Sequence, residues 1–105
     1  MTDVMVNEEA PRLQTHEIRE SGPGWIALVV RVHATVRVGA TFRCVDEDGR
    51  EVILELREIQ KYRGVTLRQL EPPNAALMVF CGPGAERLAF GRLAELIGVN
   101  PPTAG

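Results

Sequence analysis

The stretch from Ser21 to Gly39, SGPGWIALVVRVHATVRVG, does most to limit what this chain can become. A Gly-Pro-Gly turn at Gly22 to Gly24 opens into a run in which Ile26, Leu28, Val30 and Val32 recur at every second position. That is the period of a strand with one buried face. Ala27, Val29, Arg31 and His33 fall on the opposite face and grow polar along the run. Beyond Ala34 the alternation resumes, Val36 and Val38 inward with Thr35 and Arg37 outward, until Gly39 ends it.

The next segment predicts a hairpin. Phe42 and Cys44 alternate on one arm, Val52, Leu54 and Leu56 on the other, and Asp46-Glu47-Asp48-Gly49 lies between. A two-residue Asp48-Gly49 turn would set Phe42 against Glu55 and mix buried with exposed faces. A three-residue Glu47-Asp48-Gly49 loop instead sets Phe42 against Leu54 and Cys44 against Val52, with Gly49 left-handed. Ile59 to Leu70 keeps no single period, and Pro72-Pro73-Asn74 then breaks the chain before an apolar strand, Ala75 to Cys81, bounded by Gly82-Pro83-Gly84. In the last segment Ala89, Leu93, Leu96 and Ile97 fit helical spacing with Gly98 as a cap, while Gly91 in the middle costs a helix about 1 kcal/mol relative to alanine. Met1 to Gln14 reads as a tail or a loosely attached edge strand, with a short extended piece from Thr15 to Arg19.

A chain of 105 residues has room for one domain, and 45% hydrophobic with 25% charged residues is ordinary for a folded one. The net charge of -2 makes no global case for nucleic acid or an anionic membrane, so any such binding has to be local. One asymmetry stands out: Arg31, Arg37 and Arg43 occupy a segment without acids, whereas the first twenty residues hold Asp3, Glu8, Glu9, Glu17 and Glu20. Cys44 and Cys81, with no CxxC and no ligand histidine nearby, predict buried free thiols rather than a disulfide or zinc site. The longest apolar run, Ile26 to Val30, is too short to span a bilayer, and the acidic N-terminus is unlike a leader. A cytoplasmic protein without membrane contact is expected.

Several short strands spaced by glycine and proline turns point to a small antiparallel barrel. The order Ile18, Gly22-Pro23-Gly24, Val29 to Val32, Thr35-Val36-Arg37-Val38-Gly39, Phe42 and Cys44 resembles the second domain of translational GTPases of the elongation factor Tu type. In that family a Gly-Arg-Gly opens a strand, and a lysine- or arginine-Val-Gly turn precedes the next. Ile59-Gln60-Lys61-Tyr62-Arg63 is similar to the family's Ile-Glu-Met-Phe-Arg segment, and Phe90-Gly91-Arg92-Leu93 to its Arg-Gly-x-x-Leu closing strand. The resemblance spans roughly Gln14 to Ile97. It implies an all-β fold, a small closed antiparallel barrel of six to seven strands. That barrel would occupy residues 14–98, between a poorly ordered tail over 1–13 and a C-terminal tail over 99–105. It also implies a short helical turn near residues 85–90 and a strand near Arg92 to Ile97, against the long helix that local spacing favours.

The resemblance further implies a stand-alone binding module. Members that hold aminoacylated tRNA place an acidic residue of the Ile-Glu-Met-Phe-Arg segment near the terminal adenosine; Gln60 stands there in this chain, while Arg63 matches the arginine. No GxxxxGK[ST] occurs, so the phosphate cradle of a GTPase is missing and no nucleotide cofactor is expected. Gly82-Pro83-Gly84 is a turn, and Asp46-Glu47-Asp48-Gly49 lacks the later ligands of a calcium loop. Ser21, the only serine, sits in no nucleophile motif. The expectation is a protein without catalytic, cofactor or metal residues that engages a protein or a structured RNA through Arg31, His33 and Arg37 on the outer strand face and through the Tyr62-Arg63 turn. Arg43 belongs to the same run, and Glu51, Glu55 and Glu58 are the acids that would neutralise such a face. Trp25 reads as core or rim packing, with a binding platform as the alternative. Two alternatives remain: an assembly domain forming a weak homodimer through a barrel edge, and a small enzyme or metal protein built from His16, His33, Cys44 and Cys81.

Overall fold

The computed structural model describes residues 9–102. The expected tail therefore falls mostly on residues 1–8, outside the described part. The strands are β1 (Arg12–Gly22), β2 (Trp25–Ala34), β3 (Val36–Arg37), β4 (Thr41–Val45), β5 (Glu51–Tyr62), β6 (Val65–Leu67), β7 (Gln69–Leu70) and β8 (Ala75–Cys81). A 3-10 turn at Ala85–Arg87, the helical turn α1 (Phe90–Leu93) and strand β9 (Glu95–Val99) complete the chain. Neighbours pair in the order β4-β9-β1-β2-β8-β5, and β5 pairs back onto β4. Every pairing is antiparallel, so the wall closes into a six-stranded barrel. Strand β6 adds to β5 outside the wall, and β3 pairs with β7 in a separate two-stranded piece.

Alternation builds the core. Ile26, Leu28, Val30 and Val32 of β2 are all buried, as are Phe42 and Cys44 of β4, Val52, Leu54 and Leu56 of β5, and Met78 and Phe80 of β8. Phe42 and Phe80 meet edge to face, with ring centroids 5.6 Å apart, the arrangement that ring quadrupoles favour. The hairpin register predicted from face matching is the one observed: Phe42 lies opposite Leu54, Cys44 opposite Val52, and Gly49 has φ 83°. Asp46 locks the tip. Its buried carboxylate accepts the backbone N–H groups of Asp48 and Arg50, each at 2.9 Å. The Arg50 N–H does most to hold this carboxyl below its ordinary range, helped by Asp48 and by the charges of Arg87 and Arg50, against the opposing pull of desolvation.

Three expectations are corrected. The first strand is not a short piece over Thr15 to Arg19 but runs from Arg12 to Gly22, because buried Leu13 seats it and β9 pairs with Arg12 to Gln14. The residues 85–97 form no long helix: Leu93 and Leu96 are both buried, but Leu96 is buried from a strand, and Ile97, which a helix would have turned inward, is 58% exposed. The closing strand begins at Glu95 rather than Arg92, since Phe90–Leu93 makes one helical turn first. The expected helical turn near residue 85 is present at Ala85–Arg87. The ambiguous Ile59 to Leu70 resolves into the end of β5, a turn at Arg63-Gly64 with Gly64 at φ 77°, and β6 and β7. At the other end Asn100 stays attached: its Oδ1 accepts Arg37 N–H at 2.9 Å, and its Nδ2 donates to Thr35 O at 3.0 Å.

A candidate partner-binding face

Arg31 and His33 stand exposed on the outer side of β2, as the alternation requires. Arg31 Nη1 donates to Pro73 O at 2.7 Å, and His33 Nε2 lies 2.9 Å from Gln14 Oε1. Arg37 is half-buried: its guanidinium donates to Pro101 O, so it fastens the C-terminal segment to β3 as well as carrying charge. Tyr62 and Arg63 close the β5–β6 hairpin, where Tyr62 is 68% exposed. Lys61 Nζ donates to Ala75 O at 2.9 Å and lies 5.9 Å from the Tyr62 ring centroid.

Of the predicted residues, Arg31, Tyr62 and Arg63 come near the 73–75 segment, while His33 and Arg37 do not. Arg31 reaches that segment's carbonyls from β2 and Lys61 from β5. A shallow hollow beside it is lined by Arg19, Val29, Lys61, Tyr62, Arg63 and Leu77, among others. Arg37 stands apart, on β3, next to a second hollow that includes Arg68. What joins the two is chain pairing: β3 with β7, and Val38 N–H with Arg68 O at 2.8 Å. Two stretches of sequence without a single acid, residues 31–45 and 59–70, are thereby brought side by side. Together the two stretches carry Arg31, Arg37, Lys61, Arg63 and Arg68, with Arg37 and Arg68 lining one hollow and Lys61 and Arg63 another. Sequence reading missed Lys61 and Arg68, although the acid-free run from Ile59 to Leu70 was there to find.

Arg43, also in the first stretch, has an acidic partner. It faces outward from β4 and pairs with Glu51 at 3.1 Å, while Glu55 pairs with Arg57 at 3.5 Å. Glu58 accepts from Gln60. The acids that were candidates to neutralise Arg31 and Arg37 are thus engaged elsewhere. Trp25 is half-buried and its indole lies over Gly22, where an added Cβ would come within 2.4 Å of the ring nitrogen; it packs the end of the β1–β2 hairpin. Cys44 points into the core, and burial pushes its thiol up. Cys81 lies in the outer row between Trp25 and Glu55, on the other face of the wall. Among the described residues no three His, Cys, Asp or Glu side chains gather into a metal-binding group, and no helix is long and apolar enough to cross a membrane.

No known protein family, curated protein or solved structure matches this chain. The closed six-stranded antiparallel barrel is compatible with the domain II architecture of translational GTPases.

Proposed function

We propose that this chain is a non-enzymatic binding module, related in kind to the second domain of elongation factors, that holds a structured RNA and has no GTPase activity of its own. The observation that carries this reading is the pairing of β3 with β7, which brings two acid-free basic segments together on a chain whose net charge is negative. Clustered guanidinium and ammonium groups attract phosphates. An exposed ring flanked by Lys61 and Arg63 offers an unpaired base a stacking surface, which an acidic protein surface would not need. Gln60 in place of an acidic residue changes how a terminal base would be met.

Fluorescence anisotropy with a hairpin RNA bearing an unpaired 3′ end tests the reading. Binding weakens as salt rises and falls by about tenfold or more on Arg63→Glu, since a phosphate contact is lost and a repulsion gained. An RNA that fails to bind, with affinity capture from a lysate returning an acidic protein sensitive to Arg31→Glu, would overturn it in favour of a protein partner.

A further inference from the structure

The hollow where β3 meets β7 combines two guanidinium groups with apolar side chains. Val38, Leu67, Pro101 and Pro102 line it together with Arg37 and Arg68. Val38 and Leu67 are only partly buried against the core, so part of each side chain is left to the hollow. Arg37 is fastened on one side to Pro101 O. Arg68 is exposed, and among the described residues its guanidinium has no acidic partner. Glu71, the nearest acid in sequence, accepts from Gln69 Nε2 at 3.1 Å. A ligand that fits this hollow carries both carboxylates or phosphates and aliphatic groups.

The chain itself supplies a segment of that make-up. Asp3, Glu8 and Glu9 precede Arg12 without a single base among them, and Asp3 and Glu8 bracket the apolar triplet Val4-Met5-Val6. Even with Arg12 set against them, these acids leave a surplus of negative charge. The β1–β2 register aims the segment. Arg12 lies opposite Ala34 in an antiparallel pair, so the residues before Arg12 lead off in the direction in which Ala34 continues to Arg37. Pro11 O accepts the N–H of Gly98 at 3.1 Å and holds that course up to Pro11. Arg37 is three residues past Ala34, at most about 11 Å, and Glu8 is four residues before Arg12, at most about 14 Å, so the acids begin within reach. A segment tethered this closely meets the hollow at an effective concentration on the order of millimolar. We infer that residues 3–8 dock in this hollow, with their acids at Arg37 and Arg68 and their aliphatic side chains on Val38 and Leu67, and thereby hold RNA off this part of the surface. The docking stands on the hollow and the segment; the exclusion of RNA rests on the RNA-binding reading above.

Backbone amide NMR of the full chain reads the docking without any RNA. Two double variants probe it: Val4→Ser with Val6→Ser leaves the net charge unchanged, and Asp3→Asn with Glu8→Gln removes two carboxylates. Each should move the amide signals of Val38, Leu67 and Arg68 and leave that of Asp48, at the distant β4–β5 tip, in place. In anisotropy both should bind the hairpin RNA about threefold or more tighter than the unmodified chain, since the fraction of molecules with an open hollow rises. Amide signals that neither variant moves overturn the docking. Signals that move only when residues 103–105 are removed give the hollow to the other end of the chain and overturn it as well. Tighter RNA binding by the charge variant alone, with the amides unmoved, is an effect of overall charge and counts against the inference. Shifted amides in a chain that binds no RNA uphold the docking and refute the RNA reading instead.

Discussion

Strand β5 takes part in two hairpins that differ in almost every respect. Its first half, paired with β4, alternates buried Val52, Leu54 and Leu56 with outward residues, keeps an unbroken register and ends in a tip fastened by the Asp46 carboxylate. Its second half runs past the last core residue, Ile59, and is paired with β6 through an irregular register; Lys61, Tyr62 and Arg63 have no core beneath them. One end of the strand is held by packing, the other, past Ile59, by ladder pairing to β8 and β6 and by the Lys61 hydrogen bond to Ala75 O. The groups of this hairpin proposed to bind RNA sit where removing them costs the fold least.

Four substitutions would break or sharpen that contrast. Phe80→Ala, in the packed half, removes one ring of the edge-to-face pair and should cost about 3–5 kcal/mol in urea unfolding, among the largest single effects available to the barrel. Gly82→Ala should come next, since its Cβ would meet Ile53 O at 2.0 Å, a backbone atom that cannot move aside without shifting β5. Gly64→Ala, in the other hairpin, meets no neighbouring atom and pays only for its left-handed φ of 77°, about 1 kcal/mol. A Gly64→Ala loss as large as that of Gly82→Ala would show that both hairpins are equally part of the cooperative core. Tyr62→Ala should be the mildest, within about 0.5 kcal/mol in stability while weakening RNA binding.

The Asp46 tip adds a pH signature. Its carboxyl is held below the ordinary range when folded, so its stabilising contribution is complete above the unfolded value of about 4 and is lost as pH falls through the folded value. Asp46→Asn should therefore lower the urea midpoint at pH 7, and the gap to the unmodified protein should narrow in strongly acidic solution. A gap independent of pH would assign the role to shape rather than charge.

The packed half was legible before any coordinates. Alternation at Ile26 to Val32 and the face-matching argument at Phe42 and Leu54 both rest on period-two burial, which a closed wall imposes on every strand. The region around Ile59 to Leu70 was not, because bulges and an exposed hairpin leave no burial period to read. Local spacing at Ala89 to Ile97 misled for a related reason: Leu93 and Leu96 satisfy the core from two different elements, and their separation imitates a helix. Of the candidate residues, Arg31 and His33 were placed correctly as outward by parity alone. The second role of Arg37, clasping Pro101, depends on a partner sixty-four positions away and leaves no trace in its own neighbourhood.

The N–H of Gly98 donates to Pro11 O at 3.1 Å, so the first and last strands of the barrel begin and finish beside one another. A barrel whose outermost strands meet in this way can be spliced into the middle of another polypeptide without prising its host apart, and a short linker from β9 back to β1 would close it into a ring. Reopened at the solvent-exposed Arg63-Gly64 turn, such a ring should still assemble the same wall.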